Sequence, residues 1–482
     1  MAARPSADPL LVPRAARGRC GNPLWGVSTL ETGSRGTREG WRAGVEGSSM
    51  ALDRAAGPAA ASYVTGLVCL RCQARYPATT MFEGCPACRA VGVASNVTPT
   101  YDELALRQAV TPAALAARPP GLWRYRELLP VPPSHAVTLG EGGTPLLPCP
   151  RLGAELGLTN LYVKDEARNP TGSFKDRMAA LVVSKAREVG ARVVAIASSG
   201  NAGAALAAYA ARAGLECVVF THARAPLAMK VQMQAAGARL VATPTGPDRW
   251  TLLRACVERY GWYAASNYLD PPVGSNPYGV EAYKTIAYEI AEALGWRAPA
   301  HVVYPVCYGD GLWGGVKGFA ELVRLGWTTS EPRVHAGEVW GSLAHALEDG
   351  LENVEKMPAG TTVGISIGAS VSTYQALQAL RRADGQAGRV SDEEMLAMQR
   401  RLGATEGLFA EASSVPSLVV AARLRAQSVI QPDQPVVAIL TSTGLKDPEL
   451  AAQTYGDVPV IGPDLSALRA ALADRYGMAL GG

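Results

Sequence analysis

The sequence predicts an α/β protein whose parallel sheets are covered by helices, and three observations carry that prediction. Short apolar runs near 193–197, 216–220, 238–242, 301–306, 362–367 and 436–440 alternate with helical stretches, a pattern that sets parallel strands between layers of helix. Two of these runs lead through a Gly-rich turn into an apolar helix, at 193–210 and 301–322, so strand, turn and helix recur as a unit. At 482 residues the chain exceeds what one hydrophobic core serves, and two or three domains are expected.

From the N-terminus, residues 1–60 are rich in Arg, Gly, Ser and Ala with few large apolar side chains. They cannot bury enough surface to offset ordering entropy and are expected to be disordered. No apolar signal-peptide core is visible, Asp8, Glu31, Glu39 and Glu46 disfavour a transit peptide, and Met50 is a candidate start of translation. Residues 61–100 carry Cys69, Cys72, Cys85 and Cys88 as C-x2-C-x12-C-x2-C. Two such knuckles let four thiolates reach one tetrahedral ion, and Gly84-Cys85-Pro86 supplies the tight turn. The expectation is a small zinc ribbon whose zinc is structural, because four thiolates leave no open position for a catalytic water. A pair of disulfides in an exported domain, or inert reduced thiols, are the alternatives. Cys20, Cys149, Cys217, Cys256 and Cys307 are scattered, which suits a reducing, cytoplasmic location.

Residues 101–133 read as a helical connector ending in Pro130, Pro132 and Pro133, and the main folded region spans 134–482. The formal charge of +4 is small for this length, and the scattered basic residues form no run of roughly five or six, so nucleic acid is not expected as a partner. No apolar stretch reaches about 18 residues, so no spanning helix is expected and the chain should be soluble.

Basic residues are overwhelmingly Arg; the Lys are 164, 175, 185, 230, 284, 317, 356 and 446. Lys175 lies in Asn-Pro-Thr-Gly-Ser-Phe-Lys-Asp-Arg, residues 169–177, where Pro170 and Gly172 bend the chain ahead of a mostly apolar helix at 178–186. Its amine therefore sits near a helix start, and a deprotonated Lys, unlike Arg, can form a Schiff base with a carbonyl. An exposed lysine in a turn is the plain alternative. Three further stretches have the character of site loops. Ser198-Ser199-Gly200-Asn201-Ala202-Gly203 follows a strand and opens a helix. Gly309-Asp310-Gly311-Leu312-Trp313-Gly314-Gly315 is a phosphate cradle, in which backbone N–H groups and a helix dipole meet an anion. It nearly mimics a dinucleotide-binding turn, and Glu331 or Glu338 is the acid such a turn would need. Thr441-Ser442-Thr443-Gly444 ends the last strand.

The 169–177 segment resembles the cofactor-lysine motif of threonine synthases and of the wider pyridoxal-phosphate (PLP) enzymes of fold type II, the tryptophan-synthase-β-like fold. The other three stretches follow in the family's order, and Glu141-Gly142-Gly143-Thr144-Pro145-Leu146 resembles its opening motif. The resemblance implies two α/β domains, the smaller at about 170–270 inserted within the larger, with PLP in the cleft between them and a homodimeric assembly. It implies that Lys175 holds PLP as a Schiff base and moves the Cα proton, that Asn201 bonds the cofactor's phenolic oxygen, and that Ser198 and Ser199 hold the substrate carboxylate. Gly309, Asp310, Gly311, Leu312 and Gly314 would cradle the cofactor phosphate, and Thr441 would meet the ring nitrogen, with Ser442 and Thr443 as alternatives. A neutral hydroxyl leaves the ring a weaker electron sink than a carboxylate does, which favours elimination and replacement over transamination. Glu411-Ala412-Ser413-Ser414 resembles another family segment, with no role assigned.

The implied reaction is that of threonine synthases, in which O-phosphohomoserine loses phosphate from Cγ and water adds at Cβ to give threonine. One departure concerns the substrate. The family commonly carries Asn-Pro-aromatic-Arg-x-Glu-Gly-x-Lys-Thr, whose Arg helps bind the substrate phosphate; here Asn276-Pro277-Tyr278-Gly279 places Gly279 at the Arg position. Lys164, Lys284 and Arg168 are candidates to replace that charge. A β-eliminating deaminase or β-replacement enzyme acting on an unphosphorylated or different amino acid is the alternative, and a PLP-binding regulatory protein without turnover is a third reading. Cys307, where glycine is common in the family, reads as a buried structural thiol.

Overall fold

The computed structural model describes residues 62–480. The expectations for 1–60, including a start at Met50, lie outside the described residues, as does Cys20. Three sheets organise the chain. Strands β1 (Val64–Cys69), β2 (Arg75–Tyr76) and β3 (Val97–Tyr101) make a small antiparallel sheet in the order β2-β1-β3. Strands β4 (Leu146–Pro148), β5 (Leu161–Asp165), β10 (His301–Pro305), β11 (Arg333–Glu338), β12 (Ala387–Arg389) and β13 (Val436–Leu440) form a sheet ordered β12-β11-β10-β13-β5-β4, parallel except for β4. Between β5 and β10, strands β6 (Val193–Ala197), β7 (Glu216–His222), β8 (Arg239–Thr243) and β9 (Tyr263–Ala264) form a fully parallel sheet ordered β8-β7-β6-β9.

Near-continuous apolar strands suit sheets buried on both faces. Val302, Tyr304, Val437 and Ile439 point into one apolar cluster, whereas Val303, Ala438 and Leu440 point into another across the same sheet. The smaller sheet divides likewise, with Val194, Ile196 and Val219 on one face and Ala195, Val218 and Phe220 on the other. The helix Lys175–Glu188 runs through the cluster that both sheets share, and residues Met178 to Val183 are all buried there. The connector joins the same core: Leu106, Leu115, Leu122 and Leu128 are fully buried in it.

One expected strand is absent. Residues 362–367 form a loop ending in the 3-10 turn Ile365–Ile367. The Thr362 hydroxyl donates to Asp392 at 2.6 Å and accepts from the Gly364 N–H at 3.0 Å, which turns the chain, and the side chain of Ile365 is exposed. The place beside β10 is taken by β11, whose Arg-Val-His-Ala-Gly-Glu sequence carries no clear strand pattern. Its His335 is accommodated by a 3.0 Å bond to the His301 ring.

Candidate active site

Lys175 opens its helix. Its Nζ lies 4.6 Å from the centroid of the Phe174 ring and 5.5 Å from that of Tyr283, and those rings pack at 4.9 Å. Burial pulls the ammonium pKa below its ordinary value, with Asp310 and Cys307 opposing, which shifts the balance toward the neutral amine. Burial pushes the neighbouring Cys307 thiol up, which keeps it protonated. Two residues on, the Arg177 guanidinium is fully buried between two carboxylates: Nε to Glu166 at 2.7 Å, Nη1 and Nη2 to Glu289 at 2.6 and 2.7 Å. Lys164 reaches the same Glu289 at 2.6 Å, so the start of the lysine helix is pinned to β5 and to the helix Lys284–Ala293.

The loop before Lys175 docks on the end of β13. Phe174 donates its N–H to the Thr441 carbonyl at 2.9 Å, and Thr443 donates to the Gly172 carbonyl at 3.1 Å. Gly172 has φ +81°, and a Cβ there would sit 2.9 Å from Thr443 Cγ2, so both backbone shape and closeness require glycine. This docking brings the candidate hydroxyls to the lysine. Thr441 Oγ1 is 3.0 Å from Ser414 Oγ, and Ser442 Oγ is 3.2 Å from both Asn201 Oδ1 and the Gly172 carbonyl. Thr443 instead caps the following 3-10 turn, accepting from the Leu445 N–H at 3.3 Å.

The turn after β6 supplies the opposite wall. Ser198 Oγ accepts from the Gly200 and Gly203 N–H groups at 3.3 and 3.0 Å, and Ser199 Oγ accepts from Arg249 Nη1 at 2.5 Å. Asn201, the first residue of helix Asn201–Ala213, donates to Glu411 at 2.8 Å and to Ser366 at 3.2 Å. Glu411 and Ser366 are thus part of the site, which the sequence did not assign. The signal for Ser366 was present in Gly-Ile-Ser-Ile-Gly, whose flanking glycines mark a turn better than a strand. Lys446 was also missed: its buried Nζ has no hydrogen-bond partner among the described residues. Burial lowers its pKa to about 8, against the charges of Asp176 and Glu411.

The 309–315 stretch caps and opens helix Asp310–Arg324. A Cβ on Gly311 would lie 2.8 Å from the Phe174 ring and one on Gly314 2.5 Å from Tyr283 Cβ, so the glycines let this helix start press against the two rings beneath Lys175. Its first N–H groups have no intrahelical acceptors and are free to meet an anion. The Asp310 carboxylate is not: it accepts from Ser275 N at 3.1 Å, Ser275 Oγ at 2.6 Å and Gln375 Nε2 at 2.5 Å. Glu338, the acid a dinucleotide turn would use, accepts the Leu343 and Ala344 N–H groups at 2.9 and 2.8 Å and so caps a helix.

Gly279 is closed to any larger residue, since a Cβ there would lie 2.4 Å from Val182 Cγ2 and 3.0 Å from Met178 Cγ. The cations proposed to replace an arginine there are committed elsewhere. Lys164 is buried against Glu289, Lys284 sits 2.9 Å from both Glu281 and Glu321, and Arg168 pairs with Asp165 at 2.9 Å on the surface.

Away from this site, the Sγ atoms of Cys69, Cys72, Cys85 and Cys88 lie within 4.8 Å of one another. The Cys69–Cys88 and Cys72–Cys85 separations are both 3.6 Å, which excludes disulfides of about 2.05 Å. Four thiolates at about 2.3 Å from one tetrahedral zinc would stand about 3.8 Å apart, and the cluster has that size. The Arg71 N–H points at Cys69 Sγ from 3.3 Å, as a knuckle requires.

The fold is that of pyridoxal-phosphate dependent enzymes, and that family matches residues 137–442, the segment that carries both parallel sheets and Lys175. The threonine synthase of Methanosarcina acetivorans is 35% identical over 412 residues, covering 84% of this chain and 98% of that protein. That of Methanocaldococcus jannaschii is 34% identical over 381 residues, 78% and 92% of the two chains. The chain belongs to the threonine synthase family of pyridoxal-phosphate dependent enzymes. Among solved structures, threonine deaminase isoform 2 from Solanum lycopersicum shares the fold at a TM-score of 0.56 and 19% identity, over 75% of this chain and 91% of that one. An O-ureido-L-serine synthase reaches a TM-score of 0.53 at 25% identity, over 66% and 94%.

Proposed function

We propose that this protein converts O-phosphohomoserine and water into threonine and phosphate. The observation that carries the reading is the Lys175 amine, depressed by burial and set over Phe174 and Tyr283, beside the glycine-rich start of helix Asp310–Arg324 in a chain that spans nearly the whole of a threonine synthase. Bound through Lys175, PLP would supply the electron sink for carbanion chemistry at Cα. The chain's own groups do the rest. The Lys175 amine, its pKa lowered by burial, takes the Cα proton and returns protons to the carbon skeleton. The backbone N–H groups of Gly309, Asp310, Gly311 and Leu312 hold the cofactor phosphate, and Gly314 lets this helix start approach the site closely. Asn201 would exchange its bond to Ser366 for one to the phenolic oxygen while Glu411 keeps it oriented, and Thr441, backed by Ser414, meets the ring nitrogen with a neutral hydroxyl. Ser198 and Ser199 hold the substrate carboxylate at the N-terminus of helix Asn201–Ala213.

Zinc in the Cys69, Cys72, Cys85 and Cys88 cluster is structural in this reading, and the enzyme acts in the cytoplasm as a homodimer. Incubation with O-phosphohomoserine tests the proposal, with phosphate and threonine expected in equal amounts. Ammonia and a 2-oxo acid released from serine or threonine, with no threonine formed from O-phosphohomoserine, would replace it with the deaminase reading.

A further inference from the structure

Gly279 leaves a dianionic substrate without the family's arginine, and the carboxyl edge of the smaller sheet holds a cation suited to the task. Ligands of parallel α/β sheets gather at the carboxyl ends of the strands. There, the turn after β6 carries Ser199, β7 ends at His222, and the helix following β8, Gly246–Tyr260, carries Arg249 in its first turn. The Arg249 side chain donates from Nε to the Gly246 carbonyl at 2.9 Å and from Nη1 to Ser199 Oγ at 2.5 Å. Two of its five N–H donors are used and three remain. The neighbouring acid is spoken for, because Asp248 closes the capping box of the helix with Thr245 at 2.6 Å. Among the described residues Arg249 makes no ion pair, although it is partly buried.

The surroundings favour an anion. His222 feels the positive charges of Arg249, Arg224 and Lys230, and burial and those charges together hold its ring neutral. Burial lowers the Arg249 pKa from its ordinary value, so a bound anion would relieve the cost of its desolvation. The guanidinium is tied to Ser199, in the turn assigned to the substrate carboxylate, so an amino acid held there would have its side chain within reach of this cation.

We infer that Arg249, oriented by Ser199, is the specificity-determining residue that holds the phosphate of the substrate, in place of the arginine that position 279 cannot accept. This rests on the synthase reading above, but the anion site can be tested apart from it. In the holoenzyme, Arg249→Ala is expected to raise KM for O-phosphohomoserine about 30-fold or more, the weight of a charge-assisted bidentate contact, with Arg249→Lys falling between. Competitive binding of inorganic phosphate, measured by calorimetry, should weaken by a similar factor. Binding of L-homoserine, which lacks the phosphate and is read by the shift of the cofactor's absorption, should change by less than about 2-fold. Unchanged KM and phosphate binding overturn the inference, as does equal weakening for homoserine and phosphate, which would place Arg249 on the carboxylate or in the scaffold. A wild-type enzyme that makes no threonine, yet binds phosphate through Arg249, would sink the synthase reading and leave the anion site standing.

Discussion

At Lys175 the chain combines two requirements that a lone side chain rarely meets, an amine free of hydrogen-bonded acids among the described residues and a helix start held by a buried ion-pair network. The first comes from the Phe174 and Tyr283 rings, the second from the Arg177 network two residues on. Lys175→Ala is expected to remove the visible band near ~420 nm of the bound cofactor and to reduce turnover to background, measured by absorption and product assay. The lysine was legible because its motif is short and contiguous. Glu411 and Ser366 were not, because they act on Asn201 from positions 210 and 165 residues away, and only the fold brings them together. Arg249 was hidden in the same way, in an amphipathic helix whose sequence gives no hint that its first turn reaches the Ser199 hydroxyl.

Among the elements, helices Lys284–Ala293 and Asp310–Arg324 are joined to β3 by a buried cluster in which Glu281 accepts from Tyr101 at 2.8 Å and Thr98 at 3.1 Å and pairs with Lys284 and Lys317. Burial pushes the Glu281 carboxyl up, but the two ammonium groups outweigh it and hold the pKa at about 2. A folded pKa below the ordinary 4.5 means that this contribution is complete above pH 4.5 and is lost as pH falls towards 2. Glu281→Gln should therefore cost about 3 kcal/mol or more at pH 7, with the gap from wild type narrowing over that acid range, as read by denaturant unfolding at a series of pH values. The alternating β and α pattern was legible wherever a strand was buried on both faces, as in β6, β10 and β13. It misled at 362–367, where Thr362 and Asp392 turn an apolar run into a loop, and it missed β11, whose buried His335 and Glu338 are satisfied only by tertiary partners.

On the scale of the whole molecule, the four-cysteine module is wired to the catalytic core. Tyr278 packs among Leu67, Cys69, Cys85 and Val97 and donates to the Thr79 carbonyl at 3.0 Å. Asn96 donates to Gln375 at 3.1 Å, and Gln375 donates to Asp310 at the head of the cradle helix. If zinc fills the cluster, Cys72→Ser should lose it by elemental analysis, lower the melting temperature and raise the cofactor Kd about 10-fold, the equivalent of one lost hydrogen bond. The cluster's spacing was plain in the sequence, whereas its link to the cradle depends on side chains 279 residues apart. Phosphate and threonine followed together when the purified holoenzyme meets O-phosphohomoserine decide the reaction. Equal molar release of the two, abolished by Lys175→Ala, is expected of a threonine synthase; phosphate without threonine, or no reaction while serine or threonine yields ammonia, would rule it out.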